Sequence, residues 1–314
     1  MYRDCTSAMD LTGSERDRLI RLIREHRLEP SEDELLAHSA PCVTLLLSDI
    51  EDPRRAVTDS APGSSRMGGL PDAPDGFEWR VIRPRPDAPE VHAGFLMQLD
   101  LADLPRLAGS GLPATGLLSV FHWDQCTELG HSFEVHYFAA TGRPWHRIEP
   151  PADVPCASEL GLYLDGRAFP IEGVLGIDAP SKGQHDLLSY DAHERFAHES
   201  QDTDHPQRWA SRWATFRQRA AAPGFDTRCA RGFRYDWWWV GQLLGRMDLA
   251  SAEWFAARER SAHRRRLLLQ FETNPVVGFA GGCDAAPVLV LVLARDPGSS
   301  QHLDFGSVLA TLAP

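Results

Sequence analysis

The chain has 314 residues, 43% of them hydrophobic, and a formal net charge of -12. That is enough for one large domain or two modest ones with a sizeable core, and it excludes wholesale disorder. The acid excess argues against a general nucleic-acid binder, which needs cationic surface to displace phosphate counterions, and against an anionic membrane surface as partner.

Lys182 is the single lysine among 32 basic residues, the bias of a GC-rich genome. The cysteines at positions 5, 42, 126, 156, 229 and 283 form no C-x-x-C pair and no zinc spacing. Residues 1–10 lack an apolar leader core, and no apolar run is long enough to span a bilayer. The expectation is a cytoplasmic protein with buried free thiols. No cofactor is specified by any motif, and the oligomeric state is left open.

In chain order, residues 11–28 predict a helix capped by Thr12 or Ser14, with Leu19, Ile20, Leu22 and Ile23 as its apolar stripe. Residues 32–37 predict a short second helix, and residues 42–47 a strand. The Pro/Gly/Ser-rich stretch 52–75 reads as loop because it holds a glycine doublet and proline-bounded turns. Strands are expected at 95–101, 116–123 and 133–139, with a helical turn at 101–107. Residues 140–206 lack long periodic segments, apart from a short helical stretch at 192–199. Helices are expected at 206–220, where Trp209, Trp213 and Phe216 share a face, and at 252–264. The tryptophans at 237–239 suit a core. Residues 267–272 and 288–294 are the clearest strands.

The strand Phe95–Asp100 and the strand Leu267–Glu272 share a pattern. Gln98 precedes Asp100 by two residues and Gln270 precedes Glu272 by two, and an apolar strand follows each. Period-two alternation places each amide and carboxylate on one face. A duplication about a pseudo-dyad would bring the two pairs near each other. Amide beside carboxylate suits either a satisfied network or a ligand site. The fold class expected is therefore α+β, a β-dominated single domain over residues 51–314 with internal pseudo-duplication, preceded by an N-terminal helical extension over residues 1–50.

Several stretches resemble one family in order: Ser65-Arg66-Met67-Gly68-Gly69-Leu70-Pro71, then FLMQLDLADLP from Phe95, GLLSVFHWD from Gly116, QLLGRMD from Gln242, LLLQFET from Leu267, Gly282-Cys283-Asp284 and LDFGSV from Leu303. The sequence is similar to the YwqG-like family of bacterial proteins of unknown function. The resemblance covers residues 60–312, with a divergent stretch at 140–230. It implies a compact β-dominated α+β domain and no established activity. An immunity or binding role is implied by the occurrence of some members beside toxin–immunity genes. The chain departs from the family pattern at Gly241, where histidine is usual, at Arg246-Met247, which replaces Tyr-Pro, and at Gly282-Cys283, which replaces Trp-Gly.

The candidate ligand site comprises Arg66, Gly68, Gly69, Gln98, Asp100, Gln270, Glu272 and Asp284. A glycine pair can point backbone N–H groups into a concavity, and a guanidinium beside it can hold a carboxylate or phosphate. The alternative is a tight turn in which Arg66 staples carbonyls or an acidic neighbour. A second candidate set, His122, Asp124 and His136, offers imidazoles and a carboxylate for acid–base or metal chemistry if a hairpin brings His122 near His136. His193, Glu194, His198 and Glu199 are misphased for one helix face, and Cys283 lacks a partner base. Three functions compete. The first is a protein that binds an anionic or polar small ligand or a protein partner. The second is a tailoring enzyme of bacterial secondary metabolism using the His122 region. The third is an immunity-type protein with a basic partner.

Overall fold

The computed structural model describes residues 9–47, 60–79, 81–83, 89–122, 133–142, 144–151, 168–179, 196, 199–200, 239–246, 265–271, 288–294 and 303–312. The expected helices at 206–220 and 252–264, and Trp237 and Trp238, lie outside these residues. Helix α1 spans Gly13–Glu25 and starts with a full capping box. The Thr12 hydroxyl accepts from the Glu15 N–H, and the Glu15 carboxylate accepts from the Thr12 N–H. A 3-10 turn leads to α2, Glu32–His38. Leu19, Ile23 and Leu35 from these helices pack with Ile177 and Phe196. His26 Nε2 lies 3.0 Å from Glu199 Oε2 and ties the end of α1 to the same region.

The strands are β1 (Ala40–Leu47), β2 (Arg66–Gly68), β3 (Asp72–Ala73), β4 (Val81–Ile82), β5 (Val91–His92), β6 (Gly94–Asp100), β7 (Leu117–His122), β8 (Phe133–Phe138), β9 (His146–Arg147), β10 (Ala168–Asp178), β11 (Trp239–Leu244), β12 (Arg265–Phe271), β13 (Val288–Ala294) and β14 (Leu303–Leu312). Ten of them form one antiparallel sheet in the order β14-β13-β12-β11-β1-β10-β2-β6-β7-β8. The edge strands β14 and β8 approach each other, so the sheet curls on itself. The expected β-dominated α+β class with a helical N-terminus is what the chain adopts.

The order is symmetric about the β1/β10 pair. Outward on one side come β11, β12, β13 and β14. On the other come β2, β6, β7 and β8. Gln98 on β6 faces Arg66 on β2, and Gln270 on β12 faces Gln242 on β11, at matching places in the two arms. Two successive left-handed residues follow each inner partner at the same spacing: Gly68 and Gly69 (φ 77° and 73°) after Arg66, Leu244 and Gly245 (φ 63° and 90°) after Gln242.

Three expectations change. Residues 168–178 are an eleven-residue strand at the centre of the sheet, although Pro170, Gly173 and Gly176 break any sequence alternation. Arg66–Gly68 is a buried strand and not loop, because β6 and β10 flank it on both sides. The boundary at residue 50 falls beyond β1, which pairs with both β10 and β11, so the helical N-terminal part ends at His38. The main core lies on the face of Val43, Leu45, Met67, Met97, Leu99, Val120 and Leu243. The opposite face carries the polar row described next.

Candidate functional site

Register defines that row. Arg66 pairs with Gln98, Gln98 with Ser119, and Ser119 with His136, so four polar residues from β2, β6, β7 and β8 stand side by side on one face. Phe95 and Phe121 pair on the same face. Arg66 lies over the Phe95 ring at 5.9 Å, and the Phe121 ring sits 5.6 Å from Phe95 and 5.4 Å edge-on to His136. Phe77 stacks on Phe121 at 5.9 Å and meets His136 and Phe138 edge-on.

At one end of the row sits a carboxylate that the motif reading stopped short of. Asp72 follows Pro71 directly and is completely buried, as are Arg66 and Gln98. Asp72 Oδ2 accepts from Arg66 Nη1 (2.6 Å), the Gly63 N–H (2.7 Å) and Gln98 Nε2 (2.9 Å), while Oδ1 accepts from Arg147 Nε (2.7 Å). Gln98 completes the network, donating to the Ser64 carbonyl and accepting from the Asp72 N–H, both at 2.9 Å. Arg66 also donates to the Ser64 and Leu70 carbonyls. Burial alone would raise the Asp72 pKa. The two guanidiniums and the Gly63 N–H outweigh it and hold the carboxyl below its ordinary value. Burial draws Arg66 down from its usual value, opposed by Asp72.

This is the stapling arrangement. The forked end of Arg66 is spent on Asp72 and two carbonyls, so a bidentate ligand contact would have to displace Asp72. Its Nε remains buried without a hydrogen-bond partner. Ser119 Oγ, also fully buried, has none either. His136 Nε2 lies 3.3 Å from Glu134 Oε1, yet makes no hydrogen bond of good geometry.

The other candidates scatter. Asp100 caps a turn, its carboxylate accepting from the Ala102 N–H at 2.9 Å, and burial raises its pKa. Gly68 and Gly69 form the left-handed turn after β2. Gln270 lies on the other arm with β2, β10, β1 and β11 between it and Gln98, so the symmetry axis separates the two amide positions. There Gln242 Nε2 donates to Asp178 Oδ2 at 2.8 Å, and Gln270 Oε1 is buried without a partner. A side chain at Gly241 would meet the Gln270 carbonyl at 2.2 Å, so this backbone admits no histidine there. His122 pairs with Phe133 and His136 with Ser119, three register steps apart and of opposite parity, so the hairpin does not unite the two histidine positions. Asp124, Glu272 and Asp284 lie outside the described residues, as do His193, Glu194, His198 and Cys283. Among the described residues no group of three or more His, Cys, Asp or Glu is placed to hold a metal ion, and no helix is long and apolar enough to cross a membrane.

Sequence reasoning missed Asp72 and Arg147. Asp72 had a signal, one residue beyond the quoted motif. Arg147 had none, because only the β3–β9 pairing brings it to Asp72. Residues 65–283 match the model of a family described as a domain of unknown function, DUF1963. No curated protein matches the chain.

Proposed function

The chain belongs to the DUF1963 family, and from that premise we propose that it is a non-catalytic binding protein of the YwqG-like type, taking a small polar or anionic ligand on the face of β6, β7 and β8. The observation that carries this reading is Ser119. Its hydroxyl is fully buried, has no partner, and stands in register between Gln98 and His136. A buried polar atom left unpaired costs roughly 1–3 kcal/mol, which a ligand oxygen would recover. Arg66 Nε is a second donor on the same face. Two guanidiniums, those of Arg66 and Arg147, face the single carboxylate of Asp72, so the cluster favours an anion. The aromatic rings around Phe121 supply the apolar wall typical of small-molecule sites. We also attribute the symmetric strand order to tandem duplication, with QLLGRMD from Gln242 answering RMGGLPD from Arg66.

Thermal unfolding in the presence of acetate, succinate, citrate or inorganic phosphate tests the reading. At a concentration of about 100 Kd a true ligand stabilises by about 2.7 kcal/mol. Ser119→Ala should remove that gain while leaving the unliganded Tm nearly unchanged, since the hydroxyl it deletes is unpaired. No stabilisation by any of these anions, or full stabilisation retained in S119A, refutes the proposal. The net charge of -12 favours a protein partner of basic character as the second reading. Salt-sensitive association with a basic protein, unaffected by S119A, would select it.

A further inference from the structure

Around the segment 60–63 the protein gathers hydrogen-bond donors that none of its own groups accepts from. Arg147 gives Nε to Asp72 Oδ1 at 2.7 Å and Nη2 to the Ser60 carbonyl at 3.0 Å. Two of its five N–H groups are thus spent and three are left, on a side chain that is 30% exposed. The hydroxyl of the same Ser60 has no hydrogen-bond partner. It is buried where it now points, and a turn about one bond is all that a new partner asks of it. Trp145, two residues before Arg147, is half-buried, and its indole N–H meets no acceptor among the described residues. We propose that this corner binds an aromatic monocarboxylate, with the carboxylate on Arg147 and Ser60 and the ring against the indole of Trp145.

The charge sets the sign of the ligand. Two guanidiniums, those of Arg66 and Arg147, meet the one carboxylate of Asp72, so the trio keeps one positive charge. Arg66 is completely buried, and that charge is offered to solvent only through Arg147. Asp72 and the Ser60 carbonyl hold the Arg147 guanidinium from two sides, so little side-chain freedom is lost when an anion docks. A planar fork of N–H groups matches a planar carboxylate.

The indole sets the rest. Its pyrrole edge rests on Gly63, where a Cβ would stand 2.5 Å from Trp145 Cδ1, so only glycine leaves room for the ring. Phe138 flanks it, tilted by 51° at 6.5 Å. The corner therefore joins a fixed, partly exposed aromatic ring to a fixed, partly exposed cation. A bare inorganic anion would leave the indole wet, and a neutral ring would leave the charge of Arg147 unmatched. Unlike the row at Ser119, this shelf is reached without opening the core.

Saturation-transfer NMR and calorimetry on the full-length protein, with benzoate, benzamide and acetate as probes, test this. One benzoate should bind per chain. Benzamide keeps the ring without the charge and acetate keeps the head without the ring, so each should bind about tenfold more weakly. Ser60→Ala should weaken benzoate about threefold without lowering Tm, since the hydroxyl it deletes is unpaired. Arg147→Lys keeps a cation opposite Asp72 but loses the fork; it should weaken benzoate about tenfold and leave benzamide within about twofold. Trp145→Leu should bring benzoate down to the affinity of acetate. If R147K fails to fold, S60A decides. No binding of benzoate, benzamide binding as tightly as benzoate, or benzoate affinity unchanged in S60A and R147K overturns the proposal. Ser119→Ala lies on the buried row and should leave benzoate binding intact, so this site and the Ser119 site fail separately; loss of benzoate in S119A would place it on the row and overturn the assignment to Arg147.

Discussion

Asp72→Asn is the sharpest perturbation of the buried network. The carboxylate accepts four hydrogen bonds, two of them from guanidiniums, and has no exposure to water. The amide keeps the shape but removes the charge, and its NH2 must confront a donor at one of the two oxygen positions. Arg66 is left as a buried cation with only carbonyls for partners. Breaking a buried pair by removing one member costs about 3–5 kcal/mol. At roughly 2 °C per kcal/mol for a chain of this size, Tm should fall by about 6–10 °C. The pH dependence gives an independent check. The folded-state pKa of Asp72 lies below its ordinary 3.8, so its contribution is fully present above that value and is lost as pH falls through the lower folded pKa. The gap between wild type and D72N in urea midpoints should therefore be constant from pH 5 to neutrality and shrink below about pH 4. A Tm within about 2 °C of wild type, or a gap independent of pH down to acid unfolding, would refute the argument.

Three further substitutions probe the arms separately. Gly245→Ala should destabilise by about 1–3 kcal/mol in chemical denaturation, because position 245 has φ 90° and a new Cβ would sit 2.7 Å from Asp178 Oδ2; a neutral effect would mean the turn relaxes freely. Gln98→Leu should cost about 2–4 kcal/mol by orphaning the Asp72 N–H and removing one of the four donors to its carboxylate, whereas Gln270→Leu, which removes a buried oxygen already lacking a partner, should be neutral or stabilising. Equal costs at the two positions would contradict the difference seen between the arms.

The legible parts of the sequence were those where local pattern and tertiary role agree. Val288–Ala294, with its β-branched apolar run, and the Thr12/Glu15 capping box announce themselves. Gln98 and Gln270 could be matched by eye, and they do stand at equivalent places in the sheet. Their separation could not be read, because it depends on four intervening strands, of which only β1 gave a strand signal. Strand β10 carries one proline and two glycines, residues that mark loops in an isolated segment. Here Pro170 sits opposite Arg66, and Gly173 lies where a Cβ would be 2.5 Å from Leu104. Arg66 looked like a ligand anchor because its acidic neighbour lies beyond the glycine turn, and only the fold closes that turn around it.

The symmetric strand order also governs when the sheet can form. Strand β1 is buried at all eight positions, and its hydrogen-bonding neighbours are residues 171–178 and 239–244. During synthesis it leaves the ribosome as an apolar, β-prone segment, and most of the chain must follow before both its edges are covered. Contacts so distant in sequence make folding slow and expose the nascent chain to association with other copies. The helices α1 and α2 precede this strand immediately, and their apolar faces find their own partners only at Ile177 and Phe196. The N-terminal part of the protein, through Leu47, is thus held in waiting for its middle, and a truncation before residue 178 should yield an aggregating fragment in place of a half-sized domain.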